Sequence, residues 1–241
     1  MKIAIVIPAR YKSSRFPGKP LAIIKGKEMI LRVLEICKKV LKIDDIYVAT
    51  ENKLIKKKVN KYGFKVIMTS SKCKTGTDRL AEAAKKIKAK IFINVQGDEP
   101  LIKPQDIKKI ILAKKKYPNK VICGYTTINE KDSNNKNIPK VLFNIDNELI
   151  YMSRLPIPGS KNKTRKNKKY FKQVCVYAFN KNELNKFYNF GKKSIAEQQE
   201  DIELLRFFDL GIPVQMIKLS KGSIAVDVKA DIKKVEFFLT K

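Results

Sequence analysis

The chain of 241 residues contains no histidine, and its four cysteines lie far apart with no CxxC pair. These absences exclude a histidine-based catalytic triad and an ordinary Cys/His zinc site. No stretch approaches about eighteen uncharged apolar residues, so the sequence predicts no transmembrane helix and no membrane insertion. A strand-like run begins at Lys2, which favours a cytoplasmic enzyme or binding protein with reduced, partly buried thiols.

Acidic residues are scarce, because 23 Asp and Glu stand against 53 Lys and Arg and give a formal charge of +30. Such an excess raises nucleic-acid binding as an alternative function. Only seven of the basic residues are arginine, and the lysines are scattered along most of the chain. Abundant Lys, Ile and Asn are typical of an AT-rich genome. The sequence therefore favours a compositional origin for the charge, with no nucleic-acid partner, and an anionic substrate is the further alternative.

Hydrophobic periodicity predicts alternating strands and helices in the first half of the chain. The predicted strands are Ile3–Pro8, Ile46–Thr50, Phe64–Met68 and Ile91–Val95, and the predicted helices are Met29–Leu41, Leu54–Tyr62, Thr77–Ile87 and one that begins at Pro104. This alternation is typical of an α/β fold with a mostly parallel sheet between helices.

Strands dominate the second half. The predicted elements are strands at Val121–Thr127, Val141–Asn144, Leu149–Met152, Phe171–Phe179, Pro213–Leu219 and Ala225–Asp227, helices at Ile195–Asp209 and Ala230–Leu239, and a lysine-rich loop over Gly159–Lys169. No linker is visible, so we expect one continuous domain over residues 1–241 with an inserted or appended arm.

A basic loop, Ala9–Pro20, follows the first strand. Open α/β sheets bind ligands at the carboxyl ends of their strands. A loop with two arginines, two lysines, hydroxyls and a glycine can wrap a triphosphate, although it lacks the Walker A pattern. The alternative is a basic surface loop.

Carboxylates at two places are candidate metal ligands. Asp98 lies in Gln96–Pro100, directly after a predicted buried strand, and Asp227 lies near the C-terminus. Mg²⁺ prefers one or two carboxylates together with phosphate oxygens. The alternatives are an acidic helix-entry turn for Asp98 and a helix cap for Asp227.

Three other segments have both a functional and a plain structural interpretation. The Gly76–Arg79 turn could meet a base or ribose, or it could be a helix start capped by Thr77 with Arg79 in solvent. Prolines after Arg154 could aim its guanidinium, or they could form a simple connection. The glutamates of the predicted Ile195–Asp209 helix could face a cleft or solvent.

Together these segments resemble the 3-deoxy-manno-octulosonate (Kdo) cytidylyltransferase family. The resemblance runs from residue 3 to about residue 238 and rests on IPARYKSSRFPGKPL, TGTDRLAEA, INVQGDEPLI, YMSRLPIP, EDIELLRFFDLGIPV and VDVKADIKKVE. It implies a Rossmann-like sheet of the nucleotide-diphosphosugar transferase type. It also implies a homodimer, with residues 121–190 as the sugar-binding and dimerisation part.

The reaction that the resemblance implies joins CTP to an acidic 3-deoxy sugar, giving a CMP-sugar and pyrophosphate for lipopolysaccharide or capsule synthesis. It requires Mg²⁺ as cofactor. By motif position, the triphosphate would meet Arg10, Ser14, Arg15 and Lys19. The cytosine would lie near Gly76 and Arg79. The sugar would meet Gln96, Arg154, Gln173, Tyr177 and Glu203, with Arg10 shared. Mg²⁺ would lie on Asp98 and Asp227, which form the catalytic set with Lys19 and Arg10.

Lys74 and Thr75 stand where the family commonly has histidine and serine, and two further positions depart from its pattern. Gln173 stands where the family usually has histidine, and Leu204 stands where it usually has glutamine, both beside the sugar. Losing a polar contact weakens a pocket that recognises hydroxyl groups. We therefore expect Kdo to be a poor substrate, or another ulosonate such as an 8-amino analogue to be preferred. Kdo itself is still the first candidate for the sugar, a variant ulosonate is the alternative, and a catalytically inactive relative is the other alternative.

Overall fold

The computed structural model describes residues 1–13, 16–159, 161, 169–221 and 224–240. Its strands are β1 Ile3–Pro8, β2 Ile23–Ile24, β3 Lys27–Glu28, β4 Ile46–Thr50, β5 Lys65–Met68, β6 Ile91–Val95, β7 Val121–Ile128, β8 Lys140–Phe143, β9 Leu149–Ser153, β10 Tyr170–Asn180 and β11 Val214–Lys218. Its α-helices are α1 Met29–Lys38, α2 Lys53–Lys61, α3 Gly76–Ala84, α4 Pro104–Lys116, α5 Glu130–Ser133, α6 Lys181–Asn189, α7 Ile195–Glu200, α8 Arg206–Asp209 and α9 Ala230–Phe238.

The main sheet has the strand order β11-β7-β10-β6-β1-β4-β5. Strands β6, β1, β4 and β5 run parallel to their neighbours in this group, and β11 runs parallel to β7. The long strand β10 is antiparallel to both β6 and β7. The prediction of a mostly parallel α/β sheet is therefore confirmed, with one antiparallel strand inserted near its centre.

Two apolar layers cover the faces of this sheet. Alternate residues of β1 enter opposite layers, since Ala4 and Val6 pack with α3, α6 and α8 while Ile5 and Ile7 pack with α1, α2 and α4. Strands buried on both faces need a continuous apolar sequence, which β1 supplies. A third, smaller cluster joins Phe16 to Val226, so the basic loop and the C-terminal segment share a core.

Strands β8 and β9 form an antiparallel arm beside β10, to which β8 is joined at the pair Lys172 and Lys140. Large apolar side chains remain exposed on and beside this arm. They are Ile145, Ile150, Tyr151 and Leu155. The arm lies inside the predicted 121–190 part. No helix in the described portion of the chain is long and apolar enough to cross a membrane.

Two sequence predictions of secondary structure are wrong. The helix predicted over Ile195–Asp209 is broken, because Asp201 adopts a left-handed conformation with φ of 50° and ends α7. The strand predicted at Ala225–Asp227 is absent, because Val226 pairs its N–H with the Asp98 carbonyl in a turn instead of with a strand.

Helix α6 was not predicted. Its N-terminus carries a capping box between Asn180 and Glu183, a signal that is readable in the sequence. Most of the predicted Gly159–Lys169 loop lies outside the described residues.

A buried ion pair joins the end of α4 to the start of α6. The Lys114 ammonium lies 2.7 Å from both carboxylate oxygens of Glu183, and the two side chains are 0% and 4% exposed. Lys114 also donates to the Pro118 and Lys120 carbonyls. Desolvating two charges is costly, so each charge depends on the other.

We expect Lys114→Ala to lower the free energy of unfolding by about 3–5 kcal/mol, because it leaves the Glu183 carboxylate buried without its cation. Urea denaturation at pH 7 measures this change. Lys115→Ala, at the exposed neighbouring position, is the matched control and should change stability by less than about 0.5 kcal/mol. Equal effects of the two substitutions would contradict the assignment.

Candidate active site

A cavity of about 870 Å³ opens at the carboxyl ends of β1 and β6. It brings together most of the residues that the sequence singled out. These are Arg10, Lys19, Gly76, Arg79, Gln96, Asp98, Arg154, Gln173, Tyr177, Glu203 and Asp227. Ser14 and Arg15 lie outside the described residues, and their predicted roles remain predictions.

The basic loop is anchored at both ends before it meets the cavity. The Tyr11 N–H donates to the Glu51 carboxylate at 2.9 Å, and the Gly18 N–H donates to the Tyr11 carbonyl at 2.9 Å. Gly18 has φ of +70°, a conformation that glycine adopts without steric cost. Lys19 follows this turn directly, so its direction is fixed by the loop.

Lys19 links the loop to both candidate metal segments. Its ammonium donates to the Asp98 carboxylate at 2.6 Å and to the Val226 carbonyl at 2.9 Å. The Val226 N–H in turn donates to the Asp98 carbonyl at 2.9 Å. Asp98 and Asp227 therefore come from adjacent segments that line one cavity.

This donor set suits Mg²⁺. The described residues contain no group of three or more Cys, His, Asp or Glu side chains placed to hold a metal ion, so the protein does not offer a complete cage. One or two carboxylates completed by phosphate oxygens is the arrangement that Mg²⁺ prefers. Lys19 neutralises Asp98 in the described arrangement and would share that carboxylate with the ion.

The start of α3 packs closely against β6. Thr75 caps the helix in a box with Asp78, so the alternative in which Thr77 is the cap is wrong. A Cβ on Gly76 would lie 2.9 Å from the Gln96 amide nitrogen, so a larger residue there would displace the Gln96 side chain. The helix N-terminus and the Gln96 side chain therefore form one continuous wall of the cavity.

Arg79 does not face solvent. Its guanidinium lies 2.9 Å from the Glu51 carboxylate and donates to the Thr69 hydroxyl at 2.6 Å, and the side chain is 5% exposed. The same Glu51 holds the basic loop. Arg79 thus ties α3 to the loop, and contact with the nucleotide base remains a prediction.

Arg206 forms the most enclosed ion cluster beside the cavity. Its guanidinium pairs with both oxygens of Glu197 at 2.7 Å and with Asp78 at 2.7 Å, and it lies over the Phe187 ring at 3.7 Å. Glu197 is fully buried. The interpretation of these glutamates as one solvated helix face is therefore wrong, because the break at Asp201 turns Arg206 back onto α7.

Glu203 lies directly before this cluster and faces the cavity. Its carboxylate accepts the Thr77 N–H at 2.9 Å and the Gln96 amide at 3.3 Å. Burial raises the pKa of Glu203 above its ordinary value, and the Thr77 hydrogen bonds oppose the rise. Such a carboxylate can accept hydrogen bonds from ligand hydroxyls.

A bulge in β10 places the next two residues of the wall. The register of β10 against β7 shifts between Val174 and Tyr177, and bulges redirect side chains in this way. The Gln173 amide donates to the Tyr177 hydroxyl at 2.9 Å. Burial raises the pKa of Tyr177 well above its usual value, so the phenol stays neutral and keeps a proton to donate.

Leu204 does not line the cavity as predicted. It is fully buried in the apolar layer that contains Phe207 and Phe179. Of the two departures predicted beside the sugar, Gln173 lines the cavity and Leu204 does not.

Arg154 lines the cavity with a largely occupied guanidinium. It donates to the carbonyls of Glu200, Lys136, Asn137 and Asp201 at 2.8–3.3 Å. All three guanidinium nitrogens therefore donate to backbone carbonyls. A bidentate grip on a ligand carboxylate would require Arg154 to release some of these carbonyls.

Comparison with known proteins identifies this chain as an α/β nucleotidyltransferase. A family model described as cytidylyltransferase matches residues 4–216. The chain is 36% identical over 235 residues to 3-deoxy-manno-octulosonate cytidylyltransferase of Escherichia coli, covering 97% of this chain and 94% of that protein. It is also 36% identical over 242 residues to 8-amino-3,8-dideoxy-manno-octulosonate cytidylyltransferase of Shewanella oneidensis, covering 98% of each. The chain therefore belongs to the cytidylyltransferase family, in the branch of the 3-deoxy-manno-octulosonate cytidylyltransferases.

Solved structures agree with this assignment. The structure of CMP:2-keto-3-deoxy-manno-octonic acid synthetase in complex with CTP superposes with a TM-score of 0.91 at 36% identity, covering 100% of this chain and 99% of that one. The 4-diphosphocytidyl-2C-methyl-D-erythritol synthase of Anaerococcus prevotii, at 19% identity and a TM-score of 0.64 over 100% and 99% of the two chains, shares the fold alone.

Glu203 gives a pH test of this geometry. A carboxyl whose folded pKa is raised contributes stability below its unfolded pKa and loses that contribution as pH rises through the folded pKa. We expect wild type to lose stability relative to Glu203→Gln as pH rises, by about 1.4 kcal/mol for each unit of pKa elevation.

Urea denaturation of both proteins from pH 4 to pH 8 measures the difference. Glu130→Gln, at an exposed site on α5, should show no such trend against wild type. A pH-independent difference for Glu203→Gln would contradict the raised pKa of Glu203.

Proposed function

We propose that this chain transfers the cytidylyl group of CTP to the anomeric hydroxyl of a 3-deoxy-ulosonic acid, with Mg²⁺ as cofactor, and releases pyrophosphate. The observation that carries the proposal is the content of one cavity. It holds a cationic loop, the two carboxylates of Asp98 and Asp227, the first of which is paired with Lys19, and a neutral hydrogen-bonding group formed by Gln96, Gln173 and Tyr177. Its volume lies within the range of ligand pockets, about 300–1,000 Å³.

The cationic part suits a triphosphate. Arg10 is exposed on the cavity wall directly after β1, and Lys19 is oriented by the anchored loop. Phosphoryl transfer depends mainly on positioning and on neutralising charge. Arg10 and Lys19, with Ser14 and Arg15 as further predicted partners, would hold the phosphates so that the leaving pyrophosphate is opposite the attacking hydroxyl.

Asp98 and Asp227 would hold Mg²⁺ against the phosphate oxygens. When bound, the ion supplies charge stabilisation for the leaving pyrophosphate and acidifies a coordinated hydroxyl. The described residues require no histidine for this step, in agreement with the composition of the chain.

The neutral part of the cavity suits a polyhydroxylated sugar. Tyr177 and Gln173 offer a hydroxyl and an amide that already hydrogen-bond each other. Glu203 offers acceptor oxygens, and the Arg154 guanidinium would meet the sugar carboxylate. A buried site of this kind discriminates strongly, because a missing substrate hydroxyl leaves its partner unpaired.

The identity of the sugar rests on Gln173. The Escherichia coli relative named for Kdo and the Shewanella oneidensis relative named for 8-amino-Kdo are each 36% identical to this chain. We propose Kdo as the substrate, with the 8-amino sugar as the second candidate favoured by the replacement of the usual histidine by Gln173. Either product would serve lipopolysaccharide or capsule assembly, and CTP consumption favours a cytoplasmic location.

We also propose a homodimer formed through the β8–β9 arm. The arm exposes Ile150 by 52% and Leu155 by 59%, and neighbouring Ile145 and Tyr151 are exposed as well. A cluster of exposed apolar side chains on an antiparallel arm is characteristic of a protein–protein contact.

Pyrophosphate release from CTP and Mg²⁺, with Kdo or 8-amino-Kdo, tests the function. We expect turnover of at least one sugar. Gln173→His should raise kcat/KM for Kdo by about ten- to a hundredfold, the effect of restoring one buried hydrogen bond of about 1–3 kcal/mol. Gln105→His, at an exposed position of α4, is the control. If neither sugar is used, the proposed function is wrong. If Kdo is used and Gln173→His brings no gain, Gln173 does not set the preference.

We expect Asp98→Asn to lower kcat roughly a thousandfold without unfolding the protein, because it removes a charge that holds the metal ion. Steady-state rates over a Mg²⁺ titration and a thermal unfolding curve measure the two effects. Asp209→Asn, at an exposed position, should retain the wild-type rate. A variant at position 98 that keeps more than about a tenth of that rate at saturating Mg²⁺ removes Asp98 from the metal role.

A further inference from the structure

Lys140, the first residue of β8, is a fully buried cation that does not line the cavity. Its ammonium donates to the Asn135 carbonyl at 3.0 Å and to the Arg154 carbonyl. Among the described residues it makes no ion pair within 4 Å, unlike the equally buried Lys114. Burial and the nearby Arg154 lower the pKa of Lys140, while Glu200 opposes the shift.

A buried ammonium without an ion pair costs stability. This cost suggests that the two carbonyl contacts of Lys140 serve a purpose other than stability. Lys140 lies directly behind the cavity wall. Asn135, Asn137, Ile138 and Pro139 line the cavity, whereas Lys140 does not. The Pro139 carbonyl accepts the Gln173 N–H at 3.0 Å, and Lys140 is the register partner of Lys172. The cation thus lies where the arm meets the β10 residues of the site.

Lys140 and Arg154 act on the same backbone. Lys140 donates to the carbonyls of Asn135 and Arg154. The Arg154 guanidinium donates to the carbonyls of Lys136 and Asn137. It also donates to the carbonyls of Glu200 and Asp201 at the end of α7. The Arg154 N–H donates to the Glu200 carboxylate at 2.7 Å. Two cations therefore gather carbonyl oxygens from the 135–137 segment, the end of β9 and the end of α7.

We propose that Lys140 is a positioning residue for the acid-binding end of the cavity. It fixes the Arg154 backbone and the 135–139 wall so that the Arg154 guanidinium and the Gln173 amide face the sugar acid together. Two cations, Lys140 and Arg154, lie with the Glu200 carboxylate at this end of the cavity, and positive charge there suits an anionic ligand. This inference rests on the proposed function.

Lys140→Met tests the proposal, because it keeps the length of the side chain and removes both donors. Lys140→Gln is the second variant. Lys136→Met is the matched control, since it removes the same charge from the same segment at an exposed position and leaves the Lys136 carbonyl in place. Each protein is assayed by pyrophosphate release with the sugar that wild type uses, with KM measured separately for that sugar and for CTP.

We expect both Lys140 variants to raise KM for the sugar about tenfold, the order expected when binding groups are held out of place. KM for CTP should stay within about twofold, since the triphosphate loop is anchored by Glu51 and Asp98, and the control should match wild type. A solely structural role would move both KM values together.

Several results would overturn the proposal. They are variants that match the control, a parallel rise of both KM values, or the failure of both variants to fold. If wild type itself turns over neither Kdo nor 8-amino-Kdo, the proposed function fails and the inference falls with it. If wild type is active and the Lys140 variants are unaffected, the inference alone fails.

Discussion

The cavity depends on the ion cluster around Arg206. This guanidinium holds Glu197 from α7 and Asp78 from the capping box of α3, at 2.7 Å each, and it is only 1% exposed. A planar fork can bind two carboxylates in fixed directions, which a lysine ammonium cannot. With α3 and α7 tied at this point, Glu203 reaches the Thr77 N–H and Gln96. Removing Arg206 would leave two buried carboxylates unpaired and would separate the walls of the site.

Across the molecule, arginine is found where several acceptors are bound in fixed directions and lysine where a single charge is paired. Seven of the 53 basic residues are arginines. Three of them each donate to several acceptors from different segments, namely Arg79, Arg154 and Arg206. Lysine is used where one point charge suffices, as at Lys114 with Glu183 and at Lys19 with Asp98. The large positive charge therefore mostly reflects the high lysine content of the chain, while these few arginines connect the segments that surround the cavity.

The antiparallel strand β10 explains why the sugar side differs from the nucleotide side. Parallel strands β1 and β6 bring Arg10, Lys19 and Asp98 to one edge of the sheet, as any open α/β sheet does. Strand β10 runs the other way, and its bulge between Val174 and Tyr177 turns two polar side chains toward that edge. The 135–139 segment, which leads into β8, lines the cavity beside these side chains.

The sequence by itself determined the strands β1, β4 and β6 and the loops that follow them, because apolar runs, glycines and prolines are local signals. It also identified Asp98 and Asp227, from their motifs, as candidate metal ligands. Only the tertiary structure decided that Asp201 breaks the predicted helix and that Leu204 belongs to the core while Gln173 faces the cavity. The physical reason is that burial and ion pairing join residues far apart in the chain, and no local pattern records which side chain will find a partner.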